Sequence, residues 1–479
     1  MTLRTRIAPS PTGYLHIGSL ATALRNYAYA KGRDGQFVIR IEDTDRERYV
    51  EGAVEAVLKV LKDYGLDWDE GPDIGGSTGP YIQSQRLDTY QQHAQQLIDG
   101  GHAYYCFCTK DRLAEMRQHQ QDHHQLPKYD RHCLHLSPEE VKANLEQHLP
   151  HVVRLKVPHD QQVTFTDLIR GDITFSTNEI DDQVLLKSDG FPTYHLGVVT
   201  DDHLMNISHI IRGEEWISST PKHVLLYQAF GWPVPVYAHT PDFLSPTGKG
   251  KMSKRQGDVS AQSFLDKGYL PQAMLNFLMI MGWAPEDQQE VLTLDQFIHQ
   301  FDIAKVSAKS VTFDLNKLNW LNGLYIRKLS DQDLQQQLTP YKPTDMSAAQ
   351  FRQVIPLVKE RLEYLSQFTE MTAFFVSNPD INLHDLLKES KVTAADTADY
   401  LAKVQTTLES LSDWSVAAIE SALHQFQQDI GWKPRPAFMT IRLAVTGRPA
   451  TPPLFDTLHV IGQSTVITRL SHAQKILRS

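Results

Sequence analysis

Two short segments of this chain carry residues suited to phosphate chemistry. Near the N-terminus it reads Arg6-Ile7-Ala8-Pro9-Ser10-Pro11-Thr12-Gly13-Tyr14-Leu15-His16-Ile17-Gly18-Ser19. The apolar lead-in predicts a strand, Pro9, Pro11 and Gly13 a turn, and Leu20, Leu24 and Tyr27 a following helix. That places His16 and Gly18 at a helix N-terminus, where backbone N–H groups and the helix dipole favour an anion. Gly18 lets a flat ring lie against the backbone, and His16 can donate to phosphate oxygens. Much further along lies Lys249-Gly250-Lys251-Met252-Ser253-Lys254-Arg255, flanked by Gly248 and Gly257. Lys251 and Lys254 are placed to neutralise a polyphosphate. Taken singly, each segment has a plain alternative: an incidental histidine in a proline-rich loop, or a solvated basic loop.

A third cluster has metal chemistry. All three cysteines lie close together, as Cys106-x-Cys108 and then Cys133-x-His135. Three thiols and an imidazole suit tetrahedral zinc. Metal-free buried cysteines are the alternative. The fourth ligand stays open among His135, His132 and Tyr129, because the window is rich in histidine.

These residues need elements to hold them. Phe37-Val38-Ile39-Arg40-Ile41 reads as a buried strand, Glu51 to Tyr64 as a helix, and Ile207 to Ile211 as a further strand. Thr220-Pro221 predicts an N-cap with proline at the first helical position, and Gly231 a helix stop. Such alternation predicts an α/β fold, a Rossmann-like parallel sheet with helices on both faces. Residues 101–186 interrupt it with a different composition and a capping box at Ser137-Pro138-Glu139-Glu140, predicting an inserted α+β domain and a helix reaching Leu149. The expected division is 1–100 and 187–245 for the two catalytic halves, 246–325 for a region carrying the basic loop, and 326–479 for all-α helical bundles. In the last, Ser347-Ala348-Ala349-Gln350 is a second capping box, followed by a stripe through Phe351, Val354, Ile355, Val358, Leu362 and Leu365.

The sequence has 479 residues, enough for three or more domains. Its net charge of −10 disfavours a surface that coats nucleic acid throughout, but not local basic contacts with a folded RNA. No signal-peptide core follows the first basic residues. The most apolar stretch, Ala273 to Trp283, is interrupted by Asn276 and too short to span a bilayer. Three cysteines in a long chain fit a reducing cytosol. A cytoplasmic protein without membrane contact is expected.

Taken together, His16-x-Gly18 and Lys251-Met252-Ser253-Lys254-Arg255 resemble the paired signatures of class I aminoacyl-tRNA synthetases. Ser19 stands where the general class pattern has histidine. Arg40-Ile41-Glu42-Asp43-Thr44-Asp45, Leu186-Lys187-Ser188-Asp189-Gly190, Pro192-Thr193-Tyr194-His195 and Ile211-Arg212-Gly213-Glu214-Glu215-Trp216 narrow the resemblance to bacterial-type glutamyl-tRNA synthetases, over essentially the whole chain.

The resemblance implies ATP-dependent joining of L-glutamate to tRNA(Glu) through a glutamyl-adenylate, with Mg²⁺ on the ATP and a structural zinc in the insertion. It assigns His16, Gly18, Lys251 and Lys254 to ATP and catalysis. Arg6, Ser10, Glu42, Tyr194 and Arg212 are assigned to glutamate, with Arg6 on the side-chain carboxylate and Glu42 on the α-ammonium. The chemistry agrees, since a planar guanidinium can donate two parallel hydrogen bonds to a carboxylate. Related glutaminyl enzymes carry a glutamate-bearing version of the loop where this chain has Ser10. The resemblance also implies an anticodon-reading helical region and a monomer. Arg361, expected on the helix begun at Ser347, is the candidate base contact, or else a solvated helix charge. Rival readings are a non-catalytic RNA-binding paralogue, a short paralogue that glutamylates a tRNA base, and an unrelated carboxylic-acid ligase. Intact His16, Lys251 and Lys254 oppose the first. The helical extension opposes the other two.

Overall fold

The computed structural model describes residues 2–248, 250, 252 and 259–479. Lys251 and Lys254 lie outside the described residues. The chain forms two compact units, Met1–Asp266 with Pro271–Leu315, and Lys267–Leu270 with Asn316–Ser479.

The first unit is built on a largely parallel sheet. Strand β1 (Arg4–Ile7) is buried throughout and leads through the proline loop into helix α1 (Ile17–Lys31). Ile17, Leu20, Ala21 and Leu24 bury one face of α1, and β2 (Gln36–Ile39) returns parallel to β1 with Arg6 opposite Val38. The insertion follows. Strands β3 (Ala103–Cys106), β4 (Val152–Leu155) and β7 (Val184–Leu186) form an antiparallel sheet in the order β3-β4-β7. Between β4 and β7, β5 (Gln162–Asp167) and β6 (Gly171–Ser176) make an antiparallel hairpin.

The parallel sheet then resumes with β8 (His209–Gly213) and β9 (Val236–Thr240), paired in register from His209–Val236 to Gly213–Thr240. The N–H of Ser208 donates to the Arg4 carbonyl at 3.1 Å, bringing the start of β8 beside β1. Asn26 of α1 ties them further. Its side-chain amide donates to the Ile211 carbonyl at 3.0 Å, while its backbone carbonyl accepts from Thr5 Oγ1 at 2.9 Å. The C-terminal ends of β1, β2, β8 and β9 therefore share one edge, where ligands of such sheets bind.

Several boundaries differ from the sequence reading. The strand expected from Ile207 begins at His209, because Ser208 is occupied with Arg4. Thr220 is not an N-cap. A 3₁₀ turn over Glu214–Ser219 runs directly into the helix Thr220–Phe230, so Thr220 is already helical at φ −59°, ψ −41°. Its hydroxyl donates to the Trp216 carbonyl and accepts from Arg212. Gly231 does end that helix, at φ 70°. The Ser137 capping box forms, but its helix stops at Glu146, and His148 adopts φ 53° soon after.

The second unit is helical, with no strand among its described residues. The Ser347 capping box opens a helix over Ala348–Val358. Pro356 lies inside it, and the chain tightens into a 3₁₀ turn at Lys359–Arg361. Proline removes a backbone donor and crowds the preceding turn. Leu362 and Leu365 are buried, but beyond the helix expected to carry them.

Arg40, just past β2, is fully buried and pairs with Asp202 at 2.7 Å and Glu42 at 2.9 Å. Removing one member of a buried ion network leaves the others uncompensated. Arg40→Met should lower unfolding free energy by about 3–5 kcal/mol, read from the urea midpoint at unchanged slope. A loss below about 1 kcal/mol, the scale of a surface pair, would contradict this account.

Candidate active site

His16 caps α1. Its Nδ1 accepts from the Gly18 N–H at 3.0 Å. A ring nitrogen that accepts carries no proton, so the neutral imidazole holds its hydrogen on Nε2. A Cβ on residue 18 would sit 3.2 Å from His16 Nδ1, pressing on the cap. Gly18, Thr22 and Arg25 follow one another at helical spacing along α1. With His16 they line a cavity of about 490 Å³, closed opposite by Thr240 and Phe243 and by Met252 of the basic loop.

A second cavity of about 180 Å³ lies beside it, sharing Ser19, Thr22, Gly213 and Glu215. Arg6, Ser10, Glu42, Tyr194 and Arg212 all line this smaller space. They come from the ends of β1, β2 and β8 and from the helix Tyr194–Leu204, far apart in sequence. The structure thus brings together all five residues assigned to the amino acid, with His16 and Gly18 next door.

The two pocket arginines are held differently. Arg6 Nε donates to Asp202 Oδ1 at 3.0 Å, and neither Nη group has a protein partner among the described residues. Arg212 has no ion pair there. Its five N–H groups face neutral acceptors: His239 Nε2 at 3.1 Å, Tyr194 Oη at 3.1 Å, His223 Nδ1 at 3.3 Å, Thr220 Oγ1 at 2.8 Å and the Trp216 carbonyl at 3.5 Å. Because Tyr194 Oη accepts from Arg212, its own hydrogen is available to the cavity it lines.

Arg40, Asp202, His239 and His223 were not singled out as site residues in the sequence. For Asp202 a signal existed. Asp201-Asp202 ends an otherwise apolar run, Val198-Val199-Thr200, and buried acids call for buried cations. Arg25 is 3% exposed on the apolar face of α1, with the Met281 carbonyl, at 2.8 Å, as its hydrogen-bond partner among the described residues. Burial lowers its pKa to about 10.

The family model "tRNA synthetases class I (E and Q), catalytic domain" matches residues 2–320, and an anticodon binding domain model matches 333–474. The glutamate--tRNA ligase of Clostridioides difficile is 42% identical over 99% of both chains, and that of Acidothermus cellulolyticus 45% over 99% of this chain and 96% of its own. The chain belongs to the bacterial glutamyl-tRNA synthetase family. The crystal structure of a glutamate tRNA ligase from Elizabethkingia meningosepticum in complex with its amino acid has a TM-score of 0.87 at 34% identity, covering 100% of both chains. The family has a Rossmann-like catalytic domain and a helical anticodon-binding domain, matching the two kinds of unit described above.

In the synthetase's insertion, the sulfurs of Cys106, Cys108 and Cys133 lie within 4.8 Å of one another. Tetrahedral zinc–thiolate bonds of about 2.3 Å hold sulfurs roughly 3.8 Å apart, so the donor set fits zinc with small adjustment. His135 is not in the cluster. It is exposed, as is His132. The 3₁₀ turn His132–His135 explains this, since residues two apart in such a turn point in different directions. Tyr129 Oη instead approaches Cys106 at 3.4 Å and Cys108 at 3.2 Å. In the second unit, Arg361 lies in the 3₁₀ turn rather than on the helix. It is exposed, and its Nη1 donates to the Thr451 carbonyl at 2.5 Å.

Burial pushes the Glu42 carboxyl above its usual range, against the opposing pull of Arg40 and Arg6. For an acid with a raised folded pKa, the stability it contributes is complete below the unfolded pKa and lost as pH rises through the folded one. Ionised Glu42 is therefore a burden on the fold that a bound ammonium would relieve. The KM for glutamate should begin to rise, on acidification, above the ordinary carboxylate range and before the free amino acid's own side chain protonates. Glu42→Gln should raise KM at neutral pH and flatten this dependence. A pH profile identical in both proteins would remove Glu42 from ammonium recognition.

Proposed function

We propose that this chain activates L-glutamate with ATP and transfers it to tRNA(Glu), and that the two adjoining cavities hold the amino acid and the nucleotide. The convergence of Arg6, Ser10, Glu42, Tyr194 and Arg212 on one small cavity, sharing walls with the cavity of His16 and Gly18, carries this reading.

In the first step the glutamate α-carboxylate attacks the α-phosphorus of ATP and pyrophosphate leaves. In the second, a ribose hydroxyl at the tRNA 3′ end attacks the mixed anhydride and AMP leaves. Neither step needs a protein nucleophile. The chain's part is to orient the reactants and to stabilise charge on the transferring phosphorus. His16, its proton held on Nε2, would donate to phosphate oxygen beside the N–H groups of α1. Lys251 and Lys254 would add positive charge. Mg²⁺ accompanying ATP would offset phosphate charge. Arg6, through the two Nη groups that have no protein partner among the described residues, would take the side-chain carboxylate, and Glu42 the ammonium. Ser10 leaves the first loop without the acid found in glutaminyl relatives.

Aminoacylation with glutamate and purified tRNA(Glu) and tRNA(Gln), with ATP–pyrophosphate exchange measured with and without tRNA, tests the activity and its RNA range. Lys254→Ala should depress exchange by about 100-fold or more, the scale of losing one donor to developing charge. Near-normal exchange would refute its assigned role.

We also propose that the three cysteines hold a structural zinc with Tyr129 as fourth donor. Purified protein should carry about one zinc per chain, lost in Cys133→Ser, weakened in Tyr129→Phe and retained in His135→Ala. Loss of metal in His135→Ala alone would restore the histidine as ligand.

A further inference from the structure

Arg212 is buried at 5% exposure, with His239 and His223 behind it at 0% and 1%. Neither histidine lines the amino-acid cavity, and neither has a part in the chemistry described above. Their hydrogen-bond directions can be worked out from Arg212 outward, because a guanidinium has only donors. His239 Nε2 faces Arg212 Nε, so Nε2 carries the lone pair and Nδ1 the proton. Nδ1 then donates to Asp167 Oδ2 at 2.7 Å. Asp167 Oδ2 also accepts the His239 backbone N–H at 2.9 Å, while Oδ1 accepts from the N–H groups of Ile169 and Arg170. Its orientation is over-determined. On the other side, His223 Nδ1 faces Arg212 Nη1, so its proton sits on Nε2 and is given to His195 Nδ1 at 3.0 Å.

Both rings must therefore be neutral, and both must be in one tautomer. A carboxylate in either place would also have accepted from Arg212, but it would have cancelled the guanidinium's charge. Neutral acceptors fix the fork and leave its charge for something else. The cavity lined by Arg212 and Tyr194 is where that charge is exposed.

We propose that His239 and His223 are positioning residues for amino-acid recognition: as neutral, tautomer-locked acceptors backed by Asp167 and His195, they hold Arg212 in place while leaving its full positive charge for a substrate carboxylate. The inference rests on the assignment of Arg212 to the glutamate pocket. The surroundings favour the neutral state. Burial and the nearby cations hold His223 well below its usual range, and burial first, then Lys222 and Arg212, push His195 down to about 3.

The test measures glutamate and ATP KM separately, in aminoacylation, for Arg212→Ala, His239→Leu, His239→Gln and Asp167→Asn. Glutamine is the discriminating replacement, since its amide offers one acceptor and one donor and can serve both Arg212 and Asp167. Leucine leaves Arg212 Nε without an acceptor. His239→Leu should raise the glutamate KM about tenfold or more, with the ATP KM within about twofold, and His239→Gln should recover to within about threefold of the parent. Asp167→Asn must set an amide N–H against a donor, either His239 Nδ1–H or the backbone N–H groups. It should raise the glutamate KM in the same selective way, and it decides the matter if His239→Leu fails to fold. The proposal is overturned if a folded His239→Leu or Asp167→Asn leaves the glutamate KM unchanged, if both KM values rise in parallel, or if His239→Gln is as impaired as His239→Leu. If Arg212→Ala itself leaves the glutamate KM unchanged, the pocket assignment has failed. A rise in Arg212→Ala with none in the histidine or Asp167 variants overturns the positioning role alone.

Discussion

Asp202 Oδ1 accepts from Arg6 Nε at 3.0 Å and from Arg40 Nη1 at 2.7 Å, in surroundings where all three side chains are nearly sealed from solvent. Arg40 in turn holds Glu42 Oε1 at 2.9 Å and approaches Asp201 at 3.6 Å. One carboxylate, delivered by the helix Tyr194–Leu204, thereby sets the relation between the ends of β1 and β2. Charge-assisted hydrogen bonds keep such a group together. The low polarity around it strengthens every attraction but also makes any unpaired charge expensive, so the arrangement tolerates little displacement.

Against that background the contrast between Arg6 and Arg212 has a physical meaning. Among the described residues Arg6 is tethered by one charged bond, and its terminal N–H groups have no protein partner there. Arg212 spends its donors on neutral partners and keeps its charge. The first arrangement supplies directional hydrogen bonds close to a ligand; the second supplies field. With Glu42 the two arginines sum to one net positive charge, in a lining that Glu215 also joins, where a glutamate would bring two carboxylates and one ammonium. Burying charged groups disfavours the fold in the absence of ligand; for Glu42 that cost shows as a carboxyl pushed up by burial in spite of Arg40 and Arg6.

Much of this was legible in the sequence because the relevant signals are local. The turn of Pro9, Pro11 and Gly13 followed by an apolar helical stripe predicts where His16 and Gly18 must sit, and α1 begins at Ile17. The capping boxes at Ser137 and Ser347 are short-range patterns, and both form. The convergence of Arg6, Glu42, Tyr194 and Arg212 on one cavity came from motif resemblance, not from spacing. What escaped the sequence depends on partners distant in the chain. Thr220 is a good N-cap by type, but Arg212 claims its hydroxyl. His239 reads as one more residue of a buried strand until Asp167 and Arg212 are seen on either side of it. His135 has the right spacing for a zinc ligand, yet the tightness of the turn carries its side chain away from the three sulfurs.

The same electrostatics bears on discrimination between glutamate and glutamine. The two amino acids differ little in size, so a pocket that merely fits one will admit the other, and shape alone gives weak selectivity. Charge is a sharper criterion. An amide in place of the side-chain carboxylate would offer the guanidinium groups of Arg6 and Arg212 one anion fewer, and its NH₂ would turn donors toward the guanidinium donors of Arg6. Both effects act in a desolvated space, where an unpaired charge or donor costs far more than it does in water. Arg6, already paired with Asp202, rejects the amide through its donors, and the charge penalty falls to Arg212. That is the physical reason for a pocket to hold one arginine with histidine, threonine and tyrosine rather than with an acid.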